Sequence, residues 1–211
     1  MTDEKAATRE RILASARREF ADKGFDGARV DTIASAAGAN VRMIYHHFGN
    51  KQGLYRDVLR SIFEERPLEM NEPVTSIDDA LQRYSRGFAE SPDRIRLMLW
   101  ESLDLGPDAR LDQIVLGEER ARAVAERIRH VTKAVGSNPA FDDVDIELLY
   151  MALAAVAIFP NTYTTTARLI TGQAPTSPEF RARFEAFLTS FAELLTRAAT
   201  PSPERGPARL E

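Results

Sequence analysis

The stretch from Val30 to Lys51, VDTIASAAGANVRMIYHHFGNK, constrains this chain more than any other. It predicts two short helices joined by a tight turn, with a third helix starting where it ends. Gly38 ends the first helix, because glycine enters the left-handed conformation at little cost. Ala34 stands four residues before it, where two helices have to cross closely. Asn40 follows as a natural N-cap for the second helix. That helix, Val41 to Phe48, divides by face. Ile44 and Phe48 lie on one side with Val41 and Tyr45 flanking them, while Arg42, Met43 and His46 project the other way. An apolar back and a front of donors is what a helix reading the major groove needs. The same division also fits any short amphipathic pair in a helical bundle, so periodicity alone leaves both readings open.

The order of residue types narrows the choice. A small residue, a glycine turn, a cap, an apolar pair, Tyr-His-His-Phe and then a capped Asn-Lys form a specific string. With Arg11-Ile12-Leu13, Ala16, Phe20 and Gly24-Phe25 upstream, and Ile33-Ala34, Ala37-Gly38, Ile44-Tyr45-His46-His47-Phe48 and Lys51 within it, the first quarter of the chain resembles the DNA-binding domain of the TetR family of transcriptional regulators. The resemblance implies an all-α fold, an N-terminal three-helix helix-turn-helix head joined to a larger helical ligand-binding and dimerisation body. It also implies a ligand-responsive regulator, most often a repressor, that binds palindromic operator DNA as a homodimer and is released by a small-molecule effector. Two positions depart from the family pattern. Arg29 stands where a Ser or Thr cap is usual, and Asp31 where many relatives carry a basic residue.

The residues assign roles within that reading. By the resemblance Val41, Arg42 and Met43 face base edges. Arg42 suits a bidentate contact to guanine or a pair with phosphate, and Met43 a thymine methyl. Tyr45 and His46 are donors for phosphate oxygens, Thr32 offers a hydroxyl, and Asn40 joins the same DNA-binding set as the cap. Asn50 caps a fourth helix, which puts Lys51 in its first turn, where charge and free N–H groups grip one phosphate together. His47 lies on the other flank as a structural residue. Ile12, Ala16 and Phe20, on a helix from about Thr8 to Lys23, are expected behind Ile33, Ile44 and Phe48. Arg9, Arg11, Arg17 and Arg18 read as a solvated face.

Composition excludes other classes. No Cys is present, so disulfides and thiolate metal sites are ruled out. Only three His occur, two of them adjacent, so no metal or cofactor is expected. Gly-x-Ser-x-Gly, a phosphate-cradling glycine loop and metal-ligand spacing are all missing, so no enzyme is expected. Net charge is −4, yet residues 1–60 hold 11 Lys and Arg against 8 Asp and Glu, leaving the excess of acid downstream. A mildly basic head on an acidic body fits local contact with phosphates. The longest apolar run, Leu148 to Phe159, is short of the ~20 residues a membrane span needs, and the N-terminus lacks a signal-peptide core. A soluble cytoplasmic protein without a membrane partner is expected. A helical adaptor that uses its head on another protein remains the rival, separable by salt dependence.

Past the head everything reads helical. The expected domains are 1–66 for DNA binding, 67–200 for regulation and dimerisation, and a disordered tail at 201–211, with the break inside PLEMNEP. A helix from Asp93 to Asp104, apolar on most sides, is expected to be internal. A long helix from about Asp142 to Thr171 contains Pro160, which must kink or break it. Ala152 and Ala155 permit close helix approach. With the stripe Phe180, Phe184, Phe187, Phe191 and Leu195 they make the expected dimer interface, a four-helix bundle across a two-fold axis. Filling of the monomer core is the alternative. Tyr84, Phe88, Met98, Trp100, Tyr150, Phe159 and Tyr163 are candidate walls of an effector pocket, with Glu101 and Arg168 orienting a polar group. For each of these nine, ordinary core packing is the competing role.

Overall fold

A computed structural model describes residues 2–65 and 72–197. The expected break in PLEMNEP falls mostly outside them, and the 201–211 tail wholly so. The described residues form ten α-helices and two short 3-10 turns, with no strand among them. The all-α expectation is met.

The chain divides into two compact units. The first comprises Met1–Asn71 and Phe88–Val124, and the second Glu72–Gly87 and Ala125–Glu211. In the first, α1 (Thr2–Gly27), α2 (Val30–Ala36), α3 (Val41–Phe48) and α4 (Lys51–Glu64) surround one small core. Ile12, Ala16, Phe20, Ile33, Ile44 and Leu54 are fully buried in it, with Phe48 at its edge. The periodicity of α1 and the apolar back of α3 therefore meet as expected. Helix α1 starts at Thr2, earlier than the expected Thr8. At Gly24 it kinks, with φ +69° and ψ −177°, a turn into positive φ that only glycine makes cheaply.

Helix α6 (Pro92–Leu105) completes the first unit and corrects one expectation. It is not internal: Leu99 is 39% and Leu103 73% exposed. Its buried face carries Ile95 and Leu97 together with two charged residues, Arg94 and Glu101. Apolar residues on several sides predict burial only when neighbouring helices cover every side, and here they cover one. Glu101 is stabilised by Arg120, 2.7 Å away at the start of α7 (Gly117–Val135), and by the Val115 N–H at 3.3 Å. The Arg120 guanidinium lies 3.8 Å from the centre of the Phe63 ring, so it joins α4, α6 and α7.

In the second unit, α5 (Ile77–Ala89), α7, α8 (Ile146–Thr162) and α10 (Pro178–Arg197) contribute Ile77, Leu81, Val131, Leu153, Leu188 and Ala192 to a second core. Ser76 caps α5 by accepting the Asp79 N–H at 3.0 Å, and Asp145 caps α8. Pro160 is accommodated inside α8. The break comes at Tyr163, after which α9 (Thr164–Thr171) leaves at 88°. Among the described residues no single helix is long and apolar enough to cross a membrane.

Candidate nucleic-acid interface

Helix α3 is positioned by capping at both ends. The Asn40 side chain accepts the Met43 N–H at 2.9 Å, and Gly49 ends the helix at φ +77°. Glycine at that φ suits the turn into Asn50, whose side chain accepts the Gly53 N–H at 2.7 Å and opens α4. Gly53 has a further role that spacing could not reveal. A Cβ there would fall on the carbonyl oxygen of Phe48, so the junction of α3 and α4 closes only over a bare Cα.

Ile44 and Phe48 are buried, while Arg42, Tyr45 and His46 are exposed. Tyr45 retains 47% of its surface. Arg42 makes no hydrogen bond or ion pair among the described residues, so its guanidinium faces solvent. Met43 does not project away from the protein as expected: it is half-buried and, like Val41, packs against the core. Its long unbranched side chain reaches back over the flank of a narrow helix. His47 is half-buried, with its ring 6.0 Å from Phe48, as a flank residue should be.

Most of the basic residues on α1 are committed to holding this unit together. Arg9 pairs with Asp57 at 2.6 Å and overlies the Phe48 ring, and Arg17 pairs with Glu65 at 2.7 Å. Arg11 donates from Nε to the Ala37 carbonyl at 3.2 Å, capping the C-terminus of α2. The solvated face expected of them is thus partly a set of clamps. Lys51, in the first turn of α4, is likewise engaged: Nζ donates to the Asp26 carbonyl at 3.3 Å and sits 4.8 Å above the Phe25 ring. An ammonium has three protons to donate, so this contact leaves two.

The entrance of α2 is solved without a side-chain cap on Arg29. The Arg29 N–H donates instead to Glu19 of α1 at 3.2 Å, and Lys23 donates to the same carboxylate at 2.9 Å. Burial pushes the Glu19 carboxyl up, but these two donors outweigh it and hold the group below its usual value. Asp31 and Thr32 are exposed in the first turn, where the positive end of the helix favours the carboxylate.

The nine effector-pocket candidates divide between the two units. Phe88, Met98, Trp100 and Glu101 belong to the first unit; Tyr84, Tyr150, Phe159, Tyr163 and Arg168 belong to the second. Trp100 packs its indole on Gly24, and Nε1 donates to the Ala21 carbonyl at 3.2 Å. Arg96 donates to the same carbonyl at 2.8 Å, so α6 caps the end of α1. In the second unit an apolar cavity of about 430 Å³ opens between α8, α9 and α10, and of the nine only Phe159 lines it. Among the dimer candidates Ala152, Ala155 and Phe187 are exposed, while Phe184, Phe191 and Leu195 are half-buried. Phe180 is only 6% exposed and faces inward. The large apolar residues of α8, α9 and α10 left most open are Leu148 and Met151 on α8, Leu169 and Ile170 on α9 and Leu194 on α10.

Residues 12–58 match the family described as bacterial regulatory proteins of the tetR family, and residues 73–191 match the tetracyclin repressor-like C-terminal domain. The chain belongs to the TetR family. Its TetR-type head and body together cover most of the sequence. Among curated TetR-like relatives, the HTH-type transcriptional repressor SCO4008 of Streptomyces coelicolor is 34% identical over 56% of this chain and 62% of its own length, short of two thirds. The HTH-type transcriptional repressor AcnR of Corynebacterium efficiens is 32% identical over 73% of this chain and 80% of its own. Among solved structures, the SCO4942 protein of Streptomyces coelicolor superposes with a TM-score of 0.67 at 25% identity, covering 93% of this chain and 99% of that one. The TetR-family assignment makes the chain a regulator built on a helix-turn-helix head.

Proposed function

We propose that this chain is a transcriptional repressor that binds a palindromic operator as a homodimer and lets go when a small-molecule effector binds. One observation carries the DNA reading: Arg42, Tyr45 and His46 are exposed on α3 while Ile44 and Phe48 are buried. Arg42 enters the major groove and reads a guanine, and the part of the Val41 and Met43 side chains left outside the core lies beside it toward the bases. Tyr45, His46, Thr32, Asn40 and Lys51 hold phosphates on either side. The repressor reading draws on the names of the SCO4008 and AcnR relatives. A protein that reads operators works in the cytoplasm.

One α3 makes too few base contacts for specificity, so two copies are required, with half-sites about 34–36 Å apart or a multiple of that. The second unit supplies the pairing face. Ala152 and Ala155 on α8 allow close approach, and Phe187, with Phe184, Phe191 and Leu195 beside it, adds area on α10. Leu148, Met151 and Leu194, all more than half exposed, extend that face. Head and body divide at residues 66 and 67. The effector acts through α6, which packs in the first unit and caps α1 with Arg96 and Trp100. Selection of bound duplexes from a random pool tests the reading. A palindromic winner is expected; an enriched site without two-fold symmetry, or no enrichment, contradicts it.

A further inference from the structure

Three helices of the second unit carry polar groups into its buried interior. Tyr84 on α5 is 2% exposed, and its ring meets Tyr150 of α8 edge-on at 6.0 Å. The Tyr84 hydroxyl oxygen is buried without a hydrogen-bond partner, and so is Nη2 of Arg127 on α7. Each of the three stands one turn from a residue of the same apolar core: Leu81 before Tyr84, Val131 after Arg127 and Leu153 after Tyr150. Burial and Tyr150 push the Tyr84 phenol up to about 12 while the Arg127 charge pulls it down, so the phenol is a donor throughout the working range and feels the guanidinium. Three acids on α5 and α7 are committed elsewhere. Glu126 pairs with Arg129, Asp79 with Arg83, and Asp78 accepts from Gln82 and Thr189.

Two unpartnered buried donors, one cationic, amid leucine and valine ask for an anionic acceptor carried on an apolar body. We infer that Tyr84 and Arg127 bind the carboxylate of a small organic monoacid, whose apolar part packs against Tyr150 and the adjoining core. One guanidinium neutralises one charge; a phosphate dianion would leave a buried charge uncompensated. The inference rests on the effector reading above and supplies that effector's chemical class. Arg127 was not among the residues the sequence singled out.

Titration calorimetry of the full-length protein with benzoate and octanoate, each beside its alcohol, tests the site. At least one carboxylate is expected to bind, with its alcohol about tenfold weaker or worse. Arg127→Gln and Tyr84→Phe should each cut carboxylate affinity about tenfold and leave the alcohol unmoved. Tyr84→Phe keeps the ring and removes only the unpartnered hydroxyl, so it carries the test where Arg127→Gln fails to fold. Carboxylate binding equal in wild type and Tyr84→Phe, or no binding of either acid at millimolar concentration, overturns the inference. Operator release is scored in parallel. Binding that depends on Tyr84 and Arg127 without release removes the effector reading and keeps the site. No carboxylate binding, together with release by an uncharged compound equally potent in wild type and Arg127→Gln, keeps the effector reading and removes the carboxylate site.

Discussion

The carbonyl oxygen of Phe48, the last residue of α3, occupies the space a Cβ on Gly53 would need in the first turn of α4. A glycine inside a helix is ordinarily improved by alanine, by about 1 kcal/mol. Here the sign reverses, because the obstructing atom is backbone and α3 itself must move. Gly53→Ala is expected to destabilise the protein by about 1–3 kcal/mol in urea denaturation. It should weaken operator binding more than that loss of folded protein explains.

Asn50 and its bond to the Gly53 N–H lock the same junction from the other side. Asn50→Ala should cost about 1 kcal/mol of stability. Asn50→Asp restores the acceptor and should recover most of that, yet leave DNA binding weakened, since it sets a carboxylate beside the phosphate expected at Lys51. Denaturation and operator titration on the two variants separate the effects.

The bounds of α3 were legible because local chemistry writes them: an asparagine cap, a glycine stop and two apolar residues four apart. The Gly53 contact was not, because close approach of two backbones leaves no periodic trace. Arg11 looked like surface charge for a similar reason, since its partner is a carbonyl 26 residues away. Leu99 and Leu103 misled in the opposite direction, their hydrophobicity suggesting a neighbour that α6 lacks. Of the residues proposed to face DNA, Arg42, Tyr45 and His46 are exposed. Met43 is not, because a flank position on so short a helix is decided by side-chain reach.

Trp100 rests on Gly24, where an added Cβ would lie 2.8 Å from the indole and the φ is +69°. Strain and overlap act together, so Gly24→Ala should destabilise by about 1–3 kcal/mol. Trp100→Phe keeps a ring there and loses the bond to Ala21, at a cost of about 1 kcal/mol. Trp100 is the sole tryptophan, so its fluorescence during denaturation follows the first unit in the Gly24 variant, and circular dichroism follows both.

Asp79 gives the second unit a dependence on pH. Burial pushes its carboxyl up, but Arg83 and the N–H and hydroxyl of Thr75 outweigh it, and the group sits below its ordinary value of 3.8. A depressed carboxyl stabilises the fold above its unfolded pKa, and that contribution is lost as pH falls through the folded value. The melting temperature of wild type should therefore drop below about pH 4 more steeply than that of Asp79→Asn. Parallel acid profiles would exclude a role for this carboxylate.

The placement of Arg42 in a groove is tested most directly by anisotropy titrations of the selected duplex over a salt series, with wild type and Arg42→Ala. Wild-type affinity should fall steeply with salt, with a logarithmic slope of about −0.9 for each phosphate contacted. Arg42→Ala should lose about 1–3 kcal/mol and stop discriminating at one base pair, while Lys51→Ala weakens all sequences and flattens the slope by about 1. An Arg42→Ala protein that binds the operator as tightly and as selectively as wild type would contradict the account.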